Sequence, residues 1–205
     1  RVYPARLLGH RVPSGGAVEC LLLESAGPGL WTALVHPGQK LKPGARVRFG
    51  EGPVAIEGEI LERHFNGRRT VRLWREDGGP LDAAVDAIGH IPLPPYIHRD
   101  DTAADRERYQ TVFAQARGSI AAPTAGLHFT PAILRALNAR GVQMVTVTLH
   151  VGYGTFKPVR VDEVEAHTVD PEPFEVSGET ASAISQARQE GRRVIAVGKI
   201  GRAHV

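Results

Sequence analysis

The hydrophobic period of this chain changes once, across a proline-rich stretch, and that change divides it into two modules of different class. From Val12 to about Trp74, short alternating segments (VECLLLE, WTALVHP, ARVRFG, VAIEGEILERHF, RRTVRLWRE) are punctuated by glycine and proline. Strands of period two at regular spacing, bounded by turn residues, specify a small antiparallel barrel or sandwich. Asn66-Gly67 in HFNGRRTVRLW offers the two positive-φ residues of a two-residue type I′ hairpin. Gly38 and Lys42-Pro43-Gly44 punctuate two further turns.

Between Asp77 and Asp105 the run GHIPLPPYIHRDD interrupts regular structure, because Pro92, Pro94 and Pro95 each remove a backbone donor. It reads as an ordered connector. Beyond it the period is about 3.6. Thr130-Pro131 supplies an N-cap and a first-turn proline, Ile133, Leu134 and Leu137 mark one face, and Gly141 ends the helix. VQMVTVTLHV follows, apolar and β-branched enough to predict a buried strand. A second helix is predicted from Ser177 to Arg188, with Ala181, Ile184 and Ala187 on one face and Gly191 as terminator. It leads into a predicted strand, RVIAVG. The second module is therefore α/β.

At 205 residues with 42% hydrophobic and 23% charged residues, the chain has the composition of a packed protein and not of a disordered one. No apolar run approaches the roughly 20 residues needed to cross a bilayer, and the N-terminus RVYPARLLGHR lacks the apolar core of a signal peptide. A location inside the cell is expected. Cys20, the lone cysteine, excludes an internal disulfide and a multi-cysteine zinc site, and its setting in VECLLLE is that of a buried strand thiol. A net charge of +3 is compatible with a nucleic-acid partner without specifying one.

Three segments have the residues for chemistry. In GSIAAPTAGLHFT, small residues and two glycines lead Thr124, Gly126, His128 and Thr130 up to a helix N-terminus, where free amides favour an anionic group. The alternative is a tight loop whose His128 hydrogen-bonds a backbone carbonyl. In TLHVGYGTFKPVRV, a strand ends in a Gly-x-Gly turn bearing His150, Gly152, Tyr153, Gly154, Thr155 and Lys157. Ligands of open α/β sheets bind beyond the carboxyl ends of strands, and glycines there admit close backbone approach; His150 could equally be a core histidine. In DEVEAHTVDPEPFEV, Glu163, Glu165, His167, Asp170 and Glu172 cluster as for a general base or a metal, or as a solvated acidic loop. By themselves these residues name no reaction.

The stretches RVYPARLLG, LVHPGQKLKPG, GHIPLPPYIHR, DRERYQTVFA, GSIAAPTAGLHFT, VTLHVGYGTFKPVRV and RVIAVG, in this order over nearly the whole chain, resemble the tRNA ribosyltransferase-isomerase family of queuosine biosynthesis. The resemblance implies an α/β domain with an inserted β-barrel domain: residues 1–11 and 89–205 in the former, 12–88 in the latter. It implies a cytoplasmic enzyme that uses S-adenosylmethionine as a ribosyl donor and acts on a deazaguanine at the tRNA wobble position. No metal, no membrane and no stable protein partner are implied. The chemistry needs a base beside the sulfonium, donors that assist loss of adenine, and a dry pocket for the sugar. His128, His150 and His167 are the candidates for the proton transfers. Thr124, Gly126, Thr130, Gly152, Tyr153, Gly154 and Thr155 would hold the sugar, and Arg99, Arg108, Lys157 and Arg160 would meet tRNA phosphates.

Two competing classes remain. A non-catalytic tRNA-binding protein would leave the HFT and GYGTF loops without a purpose. A methyltransferase should show a Gly-rich loop after its first strand and an acidic residue ending the next, a pair absent here. The chain departs from the family in two places. Where the family shows His-x-Met-His-x-Glu, this chain reads His167-Thr168-Val169-Asp170-Pro171-Glu172, without the second histidine. It also opens without methionine and closes on KIGRAHV, in which Ile200 to Val205 match one reading frame of a common sequencing adapter, so a fragment lacking both family ends is expected.

Overall fold

The computed structural model describes residues 1–157, 161–166, 168 and 170–198. The chain folds as two compact units: Tyr3–Asp101, and Arg1–Val2 with Thr102–Val205. The first is thus inserted into the second in sequence. Its limits fall at Tyr3 and Asp101, where the sequence reading had put them at 12 and 88, because the strand that opens the barrel starts before Val12 and the connector stays with the barrel.

The inserted unit is a closed antiparallel barrel of β1 (Arg6–Val12), β2 (Ala17–Gly27), β3 (Leu30–His36), β4 (Arg46–Phe49), β5 (Ile56–Arg63) and β6 (Arg68–Trp74). The strand order is β1-β2-β3-β6-β5-β4, and β4 pairs with β1 to close it. Closure removes the unpaired strand edges that an open sheet would expose. Register shifts between Leu22 and Glu24, and between Ile60 and Glu62, are the local bends a small barrel needs. The period-two pattern turns Leu7, Val18, Cys20, Leu22, Ala33, Val47, Phe49, Ile56, Ile60, Val71 and Leu73 inward, all buried. Gly58 shares that face, and a Cβ there would come within 2.8 Å of Val47 and 2.9 Å of Leu73. Burial pushes the Cys20 thiol up to about 12, so it is a packed apolar group and no nucleophile.

The β5–β6 connection is not the two-residue type I′ turn expected from Asn66-Gly67. A 3-10 turn spans Phe65–Gly67, the His64 N–H donates to the Arg68 carbonyl at 2.9 Å, and Gly67 carries the positive φ of 78°. The bulge in β5 shifts the register by one residue, and the loop accordingly has three residues, Phe65–Gly67, in place of two. A helix the sequence reading missed, α1 (Leu81–Ile88), follows β6 and buries Ala84 and Val85. Its shortness and its place before the prolines hid its helical period.

Arg69 occupies an inward register position between β-barrel apolar residues and is 2% exposed. Its guanidinium donates to the carbonyls of Gly38 (2.9 Å), Arg68 (2.9 Å) and Leu41 (3.3 Å). Burial, and then the neighbouring Arg63 charge, lower its pKa. A buried cation is tolerated where its donors are satisfied, and here they tie the β3–β4 connection to the start of β6. Arg69→Ala leaves these carbonyls without donors, so it is expected to lower stability by roughly 2–3 kcal/mol, read from the urea midpoint. An unchanged midpoint would show that the connection holds without it.

The second unit contains α2 (Asp105–Arg108), a 3-10 turn at Thr124–His128, α3 (Pro131–Ala139), β7 (Thr148–Leu149), β8 (Phe174–Glu175) and α4 (Gly178–Gln189). Both long helices start as expected. Thr130 Oγ1 accepts from the Ile133 N–H at 3.3 Å and Ser177 Oγ from the Thr180 N–H at 3.1 Å, satisfying first-turn donors. Gly141 and Gly191, at φ 75° and 66°, end them. The two buried strands expected from VQMVTVTLHV and RVIAVG do not form as such. Only Thr148 and Leu149 of the first are in a strand, paired to Phe174–Glu175. Val142, Met144, Val145 and Val147 are 39–55% exposed, and Val194, Ile195 and Val197 43–76%. Apolar β-branched residues favour a strand only where a neighbour bonds it laterally, and among the described residues no strand pairs with 142–147.

Candidate functional site

Two of the three chemical segments are joined by backbone. The Ile120 and Ala121 N–H groups donate to the Val151 carbonyl at 2.8 and 3.4 Å. Ser119 Oγ accepts from the Val151 N–H at 3.2 Å and lies 3.4 Å from the Leu149 carbonyl. The same stretch is anchored from behind, since Gly118 and Ser119 donate to the Arg1 carbonyl at 3.3 and 3.2 Å. Ile120, Ala121, Ala122 and Val151 are buried around this seam. It is therefore dry on one side and rigid.

The third segment closes on the same place. The His150 N–H donates to the Pro173 carbonyl at 3.0 Å, and the Gly152 N–H to Glu172 Oε1 at 3.1 Å. Lys157 Nζ is 2.8 and 2.7 Å from the two carboxylate oxygens of Asp170. His150 thus leaves β7 as a sequence-predicted site residue should, at the carboxyl end of a strand. Gly152, Tyr153, Gly154 and Thr155 follow it, the last three in a 3-10 turn over Tyr153–Phe156 whose two rings stand edge to face at 6.1 Å.

The Nδ1 atom of His150 is buried and has no hydrogen-bond partner among the described residues. It faces Gly118, whose φ is 138° and where a Cβ would fall 2.7 Å from that atom. A buried polar atom without a partner costs stability, and only a glycine fits this close to the ring that carries it. Gly118 was not among the candidates from sequence, and neither was the Glu172 to Gly152 bond. Gly118 stood in a quoted motif, but its signal is a positive φ, which residue order does not display.

Other expected residues lie elsewhere. Thr124, Gly126 and His128 sit in the 3-10 turn, with Thr124 and His128 exposed and Gly126 buried, within 2.9 Å of the Thr111 methyl if a Cβ were added. Phe129 packs tilted on Phe113 at 5.8 Å, which ties the AAPTAGLHFT and DRERYQTVFA motifs together. Thr130 is engaged as the cap of α3, so its hydroxyl serves the helix. Lys157 is held by Asp170, at the position where the family pattern has its second histidine, and a phosphate would have to compete with that carboxylate. Arg99 is exposed and donates to the Asp100 carbonyl, and Arg108 is exposed in α2. His167 and Arg160 lie outside the described residues. Among the described residues no three metal-ligating side chains converge, and Glu163 and Glu165 are exposed.

The comparisons with known proteins converge on one family. The sequence model of the family described as queuosine biosynthesis protein matches residues 1–200. The chain belongs to that family. It is 52% identical over 198 residues to the S-adenosylmethionine:tRNA ribosyltransferase-isomerase of Heliobacterium modesticaldum, and 50% identical to that of Rhodospirillum rubrum, covering 97% of this chain and 56% of each relative. It thus spans a little over half the length of the curated relatives it matches. A crystal structure of S-adenosylmethionine tRNA ribosyltransferase from Thermotoga maritima aligns over 94% of this chain and 47% of that one, at 26% identity and a TM-score of 0.35.

The seam makes a specific demand on Gly118. Gly118→Ala forces a Cβ into the His150 ring and into a disfavoured backbone region, so the ring or the Ser119–Ala121 backbone must shift and stability should fall by roughly 1–3 kcal/mol, read from the urea midpoint. Circular dichroism should remain unchanged. An unchanged midpoint would mean that the His150 ring yields to the added methyl without cost.

Proposed function

We propose that the protein transfers the ribosyl group of S-adenosylmethionine onto a 7-aminomethyl-7-deazaguanine at the wobble position of tRNA and isomerises it, giving epoxyqueuosine-bearing tRNA, adenine and methionine, in the cytoplasm. Family membership supports the reaction class. The observation that supports this chain's own part in it is the buried, unpartnered His150 Nδ1 beside Gly118, at the meeting point of three segments.

S-adenosylmethionine enters as a substrate, and its sulfonium acidifies the adjacent carbon-bound protons. In this reading His150 removes the proton beside the sulfonium, since an imidazole is the side chain with basicity suited to neutral pH. The Ser119 hydroxyl and the Ile120 and Ala121 amides fix the strand end that carries it, so its ring is held before substrate arrives. Glu172 holds Gly152, which leaves the Gly152–Gly154 backbone positioned for close approach to the sugar, with Tyr153 and Thr155 orienting hydroxyls. Ile120 and Val151 keep water from the cleaved sugar. His128, Thr124 and Gly126 line the second loop and would act on the departing adenine; Arg99 and Arg108 would meet RNA phosphates. No metal is required by these steps.

Adenine release from S-adenosylmethionine tests the reading directly. Release is expected only in the presence of tRNA carrying the aminomethyl precursor, and His150→Gln is expected to lower it by about 100-fold or more, the scale of general-base catalysis. Binding of that tRNA with no adenine release would instead support a non-catalytic RNA-binding relative.

A further inference from the structure

The barrel is electrically polarised along its axis. The β1–β2, β3–β4 and β5–β6 connections lie at one pole, because His10 pairs with Ala17, Glu19 with His36, Leu34 with Arg68 and Arg63 with Arg69. The segments 10–17 (HRVPSGGA), 36–46 (HPGQKLKPGAR) and 63–68 (RHFNGR) that form this pole contain Arg11, Lys40, Lys42, Arg46, Arg63 and Arg68 and no carboxylate; the nearest one in sequence, Glu62, lies 3.7 Å from His64. The other pole holds Glu51, Glu76, Asp77, Asp82 and Asp86 against Arg75, which is paired with Asp77. The chain as a whole has 25 Lys and Arg against 22 Asp and Glu, so the segregation is positional and not compositional.

The wall between the poles shows what ordinary pairing looks like: Arg48 meets Glu57 at 2.8 Å and Arg6 meets Glu19 at 2.9 Å. Lys40, Lys42 and Arg63 are exposed and have no ion-pair partner among the described residues. At the same pole Phe65 stands at the tip of the β5–β6 turn with 88% of its surface exposed, flanked by Arg63 and Arg68. An aromatic ring left in water among cations does nothing for the core. The pole is also rigid, since the buried Arg69 guanidinium bonds the carbonyls of Gly38 and Leu41 and thereby fixes the loop bearing Lys40 and Lys42 to the strand that begins at Arg68.

We propose that this pole docks the RNA substrate: Lys40, Lys42 and Arg63 contact backbone phosphates and Phe65 stacks on an unpaired base. The proposal rests on the RNA-modifying reading above for the identity of the partner. Cations spaced on a fixed frame suit a phosphate chain, and a solvent-exposed ring among them suits a base face, which every nucleotide offers. A second contact surface distant in sequence from His150 also explains why a β-barrel inserted into this chain keeps a basic end.

The experiment measures the affinity of the whole protein for a tRNA transcript by fluorescence anisotropy from low to high KCl, alongside adenine release with precursor-bearing tRNA. The triple variant K40A/K42A/R63A is expected to bind at least about tenfold more weakly at low salt, with the slope of log Kd against log[KCl] reduced by about 2 to 3, close to one unit per lost phosphate contact. Phe65→Ala is expected to weaken binding about tenfold with the slope unchanged, as loss of one stacked base requires. Removing equal charge from the second unit, in R135A/R140A/R188A, should leave both quantities as they were. Unchanged affinity and slope in the triple variant would overturn the proposal, as would an equal loss in the control triple. Preferential binding of anionic vesicles or of a polyglutamate peptide over RNA would overturn it too. Wild-type protein that binds RNA through this pole but releases no adenine would uphold the docking surface and remove the catalytic reading.

Discussion

The bonding of Ser119–Ala121 to Leu149–Val151 is the constraint on which the arrangement of the second unit depends. Two of its bonds join backbone to backbone and two run through the Ser119 hydroxyl, and it lies between segments some 30 residues apart in sequence. Because the backbone is paired there, small side chains suffice, which is why the segment reads SIAAP. Bulkier residues would separate the two loops and leave the buried amides without acceptors. The seam brings His150 to a strand end, sets Gly118 beside its ring, and lets Pro173 and Glu172 bind the following residues from the other side.

The two units apply different solutions to the same requirement. In the barrel, position is fixed by closure, and a buried charge, Arg69, is accommodated because three carbonyls surround it. In the second unit, position is fixed by capped helices and short bonded turns. The unpaired cations stand on the connections at one pole of the barrel, whereas the bonded loop junction of the second unit holds a ring whose pairing is incomplete.

Much of this was legible in the sequence, for reasons that differ by element. The barrel was readable because every inward position of β2, β4, β5 and β6 alternates with an outward one, and the helix at Pro131 because its cap, its first-turn proline and its terminating glycine agree. Seven ordered motifs made the family readable. The turn at Asn66-Gly67 misled because a bulge at Ile60–Glu62 changes the strand offset, a tertiary event that the dipeptide does not encode. The segments at 142–147 and 193–198 were read as strands from apolar β-branched content, yet strand formation also requires a lateral partner, and composition does not supply one. Lys157 read as a free cation until its carboxylate at Asp170 was in view. The roles of Gly118 and of the Glu172 bond to Gly152 were not legible, because they lie in a dihedral angle and in a contact between distant loops.

The central claim is that S-adenosylmethionine is held at the junction of the Gly118–Ala121, His150–Gly154 and Glu172 segments. Amide chemical shifts in a titration with S-adenosylhomocysteine, which lacks the sulfonium methyl and does not react, measure that directly. The account predicts shifts concentrated at Gly118, Ile120, Val151, Gly152 and Gly154, with the barrel strands unaffected. Shifts confined to the barrel, with those amides unmoved, would contradict it.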